Sequence, residues 1–240
     1  MLLHAGVADR QSWQRVAETM AASATVVTYD RRGFAQTPPS SDEFSHVDDL
    51  LGVVDAVVGH EESVWLAGTS AGGGVALDSA IVAPERVAGT LLVSPAVSGA
   101  PEPELDPGTA RFGRLLKEAL ESGDLDEVNR LETWLWLDGP SQTEGRVGGE
   151  VRSLVLNMIA IALHNGFPED AAASGIAAWD RLDELRMPVL VACGELDAPF
   201  VGSHSVLEKV AHLGELEAPG VVTGLLGGML AQGRDRPPPS

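Results

Sequence analysis

The chain has 240 residues, a hydrophobic share of 44% and ordinary numbers of Gly and Pro. This length is typical of one globular domain with an inserted subdomain, and the composition excludes a repeat protein or a disordered chain. Its formal net charge of −19 produces a surface that repels phosphate backbones and anionic lipid, so neither nucleic acid nor a membrane is an expected partner. No basic leader is present and no apolar run approaches the roughly 18 residues of a membrane span, and the single cysteine, Cys193, excludes an internal disulfide. These features predict a cytoplasmic protein.

Short β-branched runs alternate with longer segments of helical periodicity outside the middle of the chain. The predicted strands are residues 25–29, 64–67, 90–93 and 189–193, and the predicted helices are residues 11–22, 47–58 and 72–82. Parallel strands covered on both faces have nearly continuous apolar sequences, as these do. The alternation therefore predicts an α/β fold with a mostly parallel sheet flanked by helices.

The middle of the chain has a different pattern. Residues 101–180 contain no convincing strand and are predicted to form a helical cap, inserted into a core that comprises residues 1–100 and 181–231. The candidate cap helices are residues 110–122, 125–137 and 151–164, preceded by a Pro-rich linker over residues 100–107. Residues 232–240, with three prolines and no apolar periodicity, are predicted to be disordered. An insert of this kind is placed to cover a site at the strand ends.

A serine occupies a glycine-flanked turn between a predicted strand and a predicted helix. The sequence of residues 68–72 is G-T-S-A-G. A serine on so tight a turn has a strained backbone, and Gly68 and Gly72 provide the room that the turn needs. The turn also directs the backbone N–H of Ala71 towards an oxyanion on a substrate carbonyl. Ser70 is therefore the predicted nucleophile.

Several further segments, in the same order along the chain, resemble the α/β-hydrolase family, and most closely its small esterase and enol-lactonase members with a helical cap. They are residues 2–7 (LLHAGV), 28–34 (TYDRRGF), 83–87 (APERV), 191–197 (VACGELD) and 211–219 (AHLGELEAP). The resemblance implies that Gly6 supplies the second oxyanion N–H, with Val7 as the next candidate, and that Val7 contacts substrate. No zinc-ligand spacing and no lysine-containing phosphate loop occurs in the sequence, so no cofactor and no metal are expected.

The order of the candidate triad also matches this family, in which the nucleophile is followed by an acid and then by a histidine. Here Ser70 is followed by Asp197 and His212. A serine hydroxyl becomes a good nucleophile when an imidazole takes its proton, and the imidazole needs a carboxylate on its other nitrogen. Glu195 is the weaker candidate acid because it points to the opposite face of an extended segment. His204 remains an alternative to His212 as the base.

The chain departs from the family pattern at three places, the smallest of which is Ala35, where the family usually has glycine after residues 32–34. Met1 corresponds to a point inside the family's third strand, so the first two strands have no counterpart. The unpaired sheet edge then predicts aggregation, pairing with a partner such as a second copy in a homodimer, or a start upstream of Met1. The segment before His212 is also shortened. Residues 198–204 are fewer than the dozen of an ordinary parallel crossover, and residues 206–213 fit a helix as well as a strand.

Two cap tryptophans are candidate substrate contacts. Trp134 and Trp136 cannot share a helix face, so one packs in the cap while the other lines the pocket, and the sequence leaves open which. Together these features predict a serine hydrolase that cleaves a small carboxylic ester or lactone through an acyl-serine intermediate. Two alternatives remain: a catalytically silent or truncated α/β-hydrolase-like binding module, and a perhydrolase or carbon–carbon hydrolase that uses the same triad.

Overall fold

A computed structural model describes residues 1–40, 43–102, 104–166, 175–198 and 205–234. Within these residues, five parallel strands form one sheet with the spatial order β1-β2-β3-β4-β5. The strands are β1 (Leu2–Leu3), β2 (Val64–Thr69), β3 (Val87–Val93), β4 (Val189–Gly194) and β5 (Ser205–Leu207).

Helices cover both faces of this sheet. The middle of the chain, between β3 and β4, is also helical. The α-helices are α1 (Gln14–Met20), α2 (His46–Val58), α3 (Ala71–Val82), α4 (Pro107–Ser122), α5 (Leu125–Thr133), α6 (Gly149–His164), α7 (Gly214–Glu217) and α8 (Pro219–Arg234). Short 3-10 helices cover Arg10–Trp13, Pro84–Arg86 and Ala178–Glu184, and a π-helical turn covers Trp134–Asp138. None of these helices combines the length and the apolar character that crossing a membrane requires.

Neighbouring residues of the central strands contribute to two different hydrophobic clusters. Ala67 and Leu91 pack with side chains of α1 and α8, whereas Leu66 and Leu92 pack with side chains of α2 and α3. Successive residues of a strand point to opposite faces, so continuous apolar sequence is what a sheet covered on both sides requires. The predicted α/β class with a parallel sheet flanked by helices is confirmed.

The predicted strand at residues 25–29 is largely wrong. Within this segment the pairing is a single parallel bridge between Thr28 and Leu2, together with a 2.9 Å hydrogen bond from the Leu2 N–H to the Val27 carbonyl. Its partner, β1, is only two residues long, so a longer ladder has nothing to pair with. The predicted helix at residues 11–22 begins as a 3-10 turn, capped by the Asp9 carboxylate, and continues as α1 to Met20.

The helices between β3 and β4, which we call the helical insert (residues 107–164), have a hydrophobic cluster of their own. Its buried members are Phe112, Ala119, Val128, Leu131 and Leu135. α4 begins at Pro107, inside the predicted linker, because Asp106 caps it and proline is suited to the first helical position. The predicted helix at residues 125–137 is α-helical only to Thr133 and then widens into the π-helical turn.

Residues 206–213, whose sequence fits a strand and a helix equally well, are a short strand followed by a loop. Residues 205–207 form β5, which pairs with β4, and the chain then runs through a loop of residues 208–213 into α7. We call this segment the histidine loop. α8 continues to Arg234, so residues 232–234 of the predicted tail belong to this helix, and residues 235–240 lie outside the described residues.

Candidate active site

Ser70 lies at the junction of β2 and α3 with a backbone conformation that is unusual for a residue with a side chain. Its φ is 53° and its ψ is −120°. The Ser70 N–H donates to the Val93 carbonyl at 2.9 Å, and the Ser70 carbonyl accepts from the N–H groups of Gly74 and Ala96 at 2.9 and 3.0 Å. These three backbone hydrogen bonds join the strained residue to β3, to the loop after β3 and to the first turn of α3. The surrounding fold therefore holds Ser70 in its strained conformation.

Two glycines beside Ser70 are required by close backbone contacts. A Cβ on Gly68 would lie 2.6 Å from the Gly73 nitrogen and closer still to the Gly72 oxygen. A Cβ on Gly72 would lie 2.5 Å from the His4 oxygen, also with a closer contact, to the Leu3 oxygen. Real Cβ atoms do not approach backbone so closely, which explains why this turn needs glycine at both positions.

The two predicted oxyanion donors are neighbours in space. A Cβ on Gly6 would lie 3.8 Å from the Cβ of Ala71, so the loop after β1 and the start of α3 are in van der Waals contact. Ala71 is the first residue of α3, where the helix dipole presents its positive end. Val7, the predicted substrate contact, is partly buried against the cluster that joins α6 to the histidine loop.

His4 holds the backbone of the Gly6 loop. Its Nδ1 donates to the Ala5 carbonyl at 2.8 Å and its Nε2 accepts from the Arg31 N–H at 3.1 Å. Burial lowers the pKa of His4 well below its ordinary value, so the ring is neutral and suited to this pair of bonds. The imidazole therefore orders the loop that carries Gly6.

Asp197 and His212 form a buried pair. His212 Nδ1 lies 3.1 and 3.0 Å from the two carboxylate oxygens of Asp197, and both side chains are only 2% exposed. A carboxylate at Nδ1 requires the proton on that nitrogen, which leaves Nε2 as the basic nitrogen of the neutral ring. Asp197 lies in the turn after β4, and His212 lies in the histidine loop after β5.

A second buried contact joins the turn of Ser70 to the region of His212. The Thr69 hydroxyl donates to the Glu215 carboxyl at 2.7 Å, and both residues are fully buried. Thr69 immediately precedes the predicted nucleophile, and Glu215 lies in α7, three residues after His212. Burial raises the pKa of Glu215, which favours its neutral form.

The two alternatives for the acid and the base have different outcomes. Glu195 is exposed and accepts a 2.8 Å hydrogen bond from the Lys209 N–H, so its carboxylate is engaged away from the imidazole of His212. His204 lies outside the described residues.

The two candidate tryptophans have different neighbours. The ring of Trp136 lies 4.5 Å from the ring of His212, centroid to centroid, and its indole N–H donates to Glu132. The ring of Trp134 instead makes an edge-to-face contact with Phe112 inside the helical insert, at 5.1 Å. The structure therefore brings Trp136, and not Trp134, to the histidine.

Comparison with known proteins agrees with this fold. The model of the Alpha/beta hydrolase family matches residues 1–232. The chain belongs to this family. Among solved structures, this α/β-hydrolase is similar to a thermophilic esterase from Thermogutta terrifontis, with 25% identity, a TM-score of 0.74 and coverage of 97% of this chain and 89% of that one.

Two further relatives extend the comparison. The structure of Est816, an N-acyl homoserine lactone degrading enzyme, is 20% identical to this chain in sequence, with a TM-score of 0.68. The match covers 95% of this chain and 91% of that one. A protein of Bacillus subtilis (strain 168) with the provisional name 2-succinyl-6-hydroxy-2,4-cyclohexadiene-1-carboxylate synthase is 26% identical over 230 residues, which are 90% of this chain and 79% of the relative.

Sequence reasoning missed the contacts of four residues around this candidate site. They are Thr69, Glu132, Arg146 and Glu215. Glu132 bonds Trp136 within one helical turn, whereas the partners of the other three are set by tertiary packing. Thr69 and Glu215 are 146 positions apart, too far for any local pattern to join them. In the part of the chain that the structure describes, no three His, Cys, Asp or Glu side chains are grouped so that they could hold a metal ion.

Proposed function

We propose that this α/β-hydrolase is a serine hydrolase that cleaves a small carboxylic ester or lactone, with Ser70 as nucleophile, His212 as base and Asp197 as the supporting acid. The observation that carries the proposal is the buried Asp197–His212 pair. The hydrogen bond from Thr69 to Glu215, in the helix that follows the histidine loop, links this region to the turn of Ser70. An imidazole fixed in this way is the group that a serine hydroxyl needs.

In the first half-reaction, the Ser70 oxygen attacks the substrate carbonyl carbon while His212 Nε2 takes the hydroxyl proton. Asp197 stabilises the imidazolium that forms, and the backbone N–H groups of Ala71 and Gly6 stabilise the oxyanion. The imidazolium then protonates the leaving alcohol oxygen, the carbon–oxygen bond breaks, and the acyl group remains on Ser70.

In the second half-reaction, water replaces the alcohol. His212 removes a proton from the water, whose oxygen attacks the acyl carbon, and the collapse of the second tetrahedral intermediate returns the proton to Ser70 and releases the acid. With a lactone, the alcohol and the acid are two ends of one product.

The ester class is supported by the similarity to the Thermogutta terrifontis esterase, and the lactone alternative by the similarity to Est816, an N-acyl homoserine lactone degrading enzyme. Trp136 is the proposed aromatic wall of the pocket, and Val7 a second apolar contact. Trp134 contributes indirectly, by packing the helical insert around Phe112. A cytoplasmic location belongs to the same proposal and rests on the single cysteine and the acidic surface.

A homodimer through the sheet edge is a separate part of the proposal. At this edge, β1 is covered on its outer side by the single bridge to Thr28, and an apolar pocket beside it is lined by Met1, Val57 and Val58 among others. Light scattering across a hundredfold concentration range tests it. A constant monomer mass would remove this part of the proposal.

The experiment for the activity uses p-nitrophenyl acetate and butyrate, a γ-lactone, and a fluorophosphonate probe. We expect hydrolysis, stoichiometric labelling at Ser70, and loss of both in Ser70→Ala. Buried Ser79, whose hydroxyl donates to the Val75 carbonyl in α3, provides a matched control, Ser79→Ala. A cooperatively folded wild-type protein that neither hydrolyses these substrates nor reacts with the probe would refute the proposal and favour a binding module.

A second candidate uses the same three residues on a different bond. The Bacillus subtilis relative is named a synthase and not a hydrolase, which favours testing perhydrolysis and carbon–carbon hydrolysis beside ester hydrolysis. Peracid formation from acetate and hydrogen peroxide, measured for wild type and Ser70→Ala, separates perhydrolysis from ester cleavage.

A further inference from the structure

The helical insert makes hydrogen bonds to backbone groups of the histidine loop. The N–H of His212 donates to the carbonyl of Trp136, in the π-helical turn, at 3.2 Å. Arg146, in the segment between that turn and α6, donates from its guanidinium to the carbonyl of Lys209 at 3.0 Å. Both ends of the loop segment that precedes the imidazole are therefore held by residues of the insert.

Arg146 also joins these two contacts to one another. Its guanidinium donates to the carbonyls of Leu137 and Asp138, at 2.7 and 2.8 Å, and so fixes the π-helical turn. The same group bonds Glu217 Oε2 at 2.5 Å, while Glu217 Oε1 accepts the Ala211 N–H at 2.8 Å. Ala211 is the residue immediately before the histidine.

The burial of this ion pair makes it sensitive to substitution. The side chain of Arg146 is 23% exposed and that of Glu217 only 5%. A planar guanidinium that serves several acceptors at once cannot be replaced by an ammonium without losing donors. Removing either partner would leave a largely desolvated charge or several carbonyls without a donor.

We propose that Arg146, together with Glu217, is a positioning residue for His212, so that the helical insert sets where the imidazole stands relative to Ser70. This inference rests on the proposed function. Arg146 acts on the reaction through the backbone of residues 209–212 and through the turn that carries Trp136. A misplacement of a catalytic group by about 1 Å is sufficient to lower a rate by about 100-fold, so a contact of this kind controls turnover without touching substrate.

The test compares Arg146→Met, Arg146→Lys and Glu217→Gln with the matched control Arg181→Met. Arg181 makes a bidentate ion pair with Glu184 on the 3-10 helix Ala178–Glu184, and within the described residues none of its hydrogen bonds reaches the histidine loop or the helical insert. Active sites are counted by fluorophosphonate burst titration, so that kcat refers only to folded, competent molecules.

We expect kcat per titrated site to fall about tenfold in Arg146→Met and in Glu217→Gln, because the imidazole is displaced. KM should change less than about threefold in Glu217→Gln, which leaves the bonds from Arg146 to the turn of Trp136 in place. Arg146→Lys should recover part of the loss, since it keeps the charge but not the fork. Arg181→Met should match wild type. A per-site kcat equal to that of the control in both Arg146→Met and Glu217→Gln would overturn the inference.

A readout that does not depend on turnover separates this inference from the proposed function. NMR of ¹⁵N-histidine-labelled protein should show changed His212 ring resonances in Arg146→Met and Glu217→Gln, and unchanged ones in Arg181→Met. Should Arg146→Met fail to fold, Glu217→Gln, which keeps an amide oxygen for the Ala211 N–H, carries the test. An inactive wild type refutes the proposed function, whereas unperturbed His212 resonances refute the role of Arg146.

Discussion

The turn that carries Ser70 and the loop that carries His212 are built in opposite ways. The turn is fixed by glycines two residues on either side of Ser70 and by backbone bonds to adjacent elements. The histidine loop has one local support, the hydrogen bond from the Ala211 N–H to Glu217, but it also relies on partners far away in the chain. Its shape depends on Asp197, on Glu215 and on Arg146, which come from three different parts of the chain.

The turn and the loop should therefore differ in which substitutions they tolerate. A locally determined turn tolerates change elsewhere but almost none within itself, because a single Cβ collides with backbone. A loop held by distant side chains tolerates change in its own sequence but depends on each of its supports. We expect substitutions to reveal this contrast in four ways, taken here from the largest effect to the smallest.

Replacing Asp197 tests the support of the imidazole itself. Asp197→Asn should lower kcat by about 10⁴-fold while the protein stays folded, since an amide at Nδ1 favours the wrong tautomer of His212. Steady-state kinetics on p-nitrophenyl butyrate measures the loss, and Glu195→Gln is the control, with an expected change of less than about twofold. The assignment of the acid would be reversed if Glu195→Gln, and not Asp197→Asn, inactivated the protein.

Replacing Gly72 tests the local character of the elbow. Gly72→Ala places a methyl group against the backbone of Leu3 and His4 and should cost about 3 kcal/mol of unfolding free energy. The control is Gly52→Ala in α2, where a Cβ meets nothing within 4 Å and the change should stabilise the helix slightly. Urea unfolding compares the two, and equal midpoints would contradict the steric argument.

Replacing Glu215 tests the contact between the two regions. Glu215→Ala leaves the buried Thr69 hydroxyl without its acceptor and should cost about 1–3 kcal/mol. Thr69→Val removes the donor instead, and the double variant should cost less than the sum of the single ones. Strict additivity in denaturant unfolding would mean that the two side chains are not coupled.

The ionisation of Glu215 gives the smallest expected effect. Because burial raises its pKa above the ordinary 4.5, the folded state binds this proton more tightly than the unfolded state. The stabilisation from this group is therefore fully present below about pH 4.5 and is lost as pH rises through the pKa in the folded protein. Glu215→Gln does not titrate, so its unfolding free energy relative to wild type should increase with pH above 4.5. A difference that stays constant from pH 4 to pH 8 would show that folding does not raise the pKa of Glu215.

The same contrast explains how far the sequence could predict the molecule. Gly68 and Gly72 and the alternation of apolar runs are local signals, and they predict the turn and the parallel sheet flanked by helices. The strand at residues 25–29 failed because β1 offers too short a partner. Which of Trp134 and Trp136 lies beside the histidine depends on a π-helical turn, which the periodicity of the sequence does not indicate. The roles of Glu215 and Arg146 required knowledge of packing between distant segments.

The π-helical turn has a consequence for engineering. Substrate range in a capped enzyme is commonly altered by exchanging the cap, on the assumption that the core retains its chemistry. Here the carbonyl of Trp136 accepts the His212 N–H. A chimaera with a foreign cap should therefore lose turnover as well as selectivity unless the transplanted segment brings an equivalent carbonyl and an arginine in the place of Arg146.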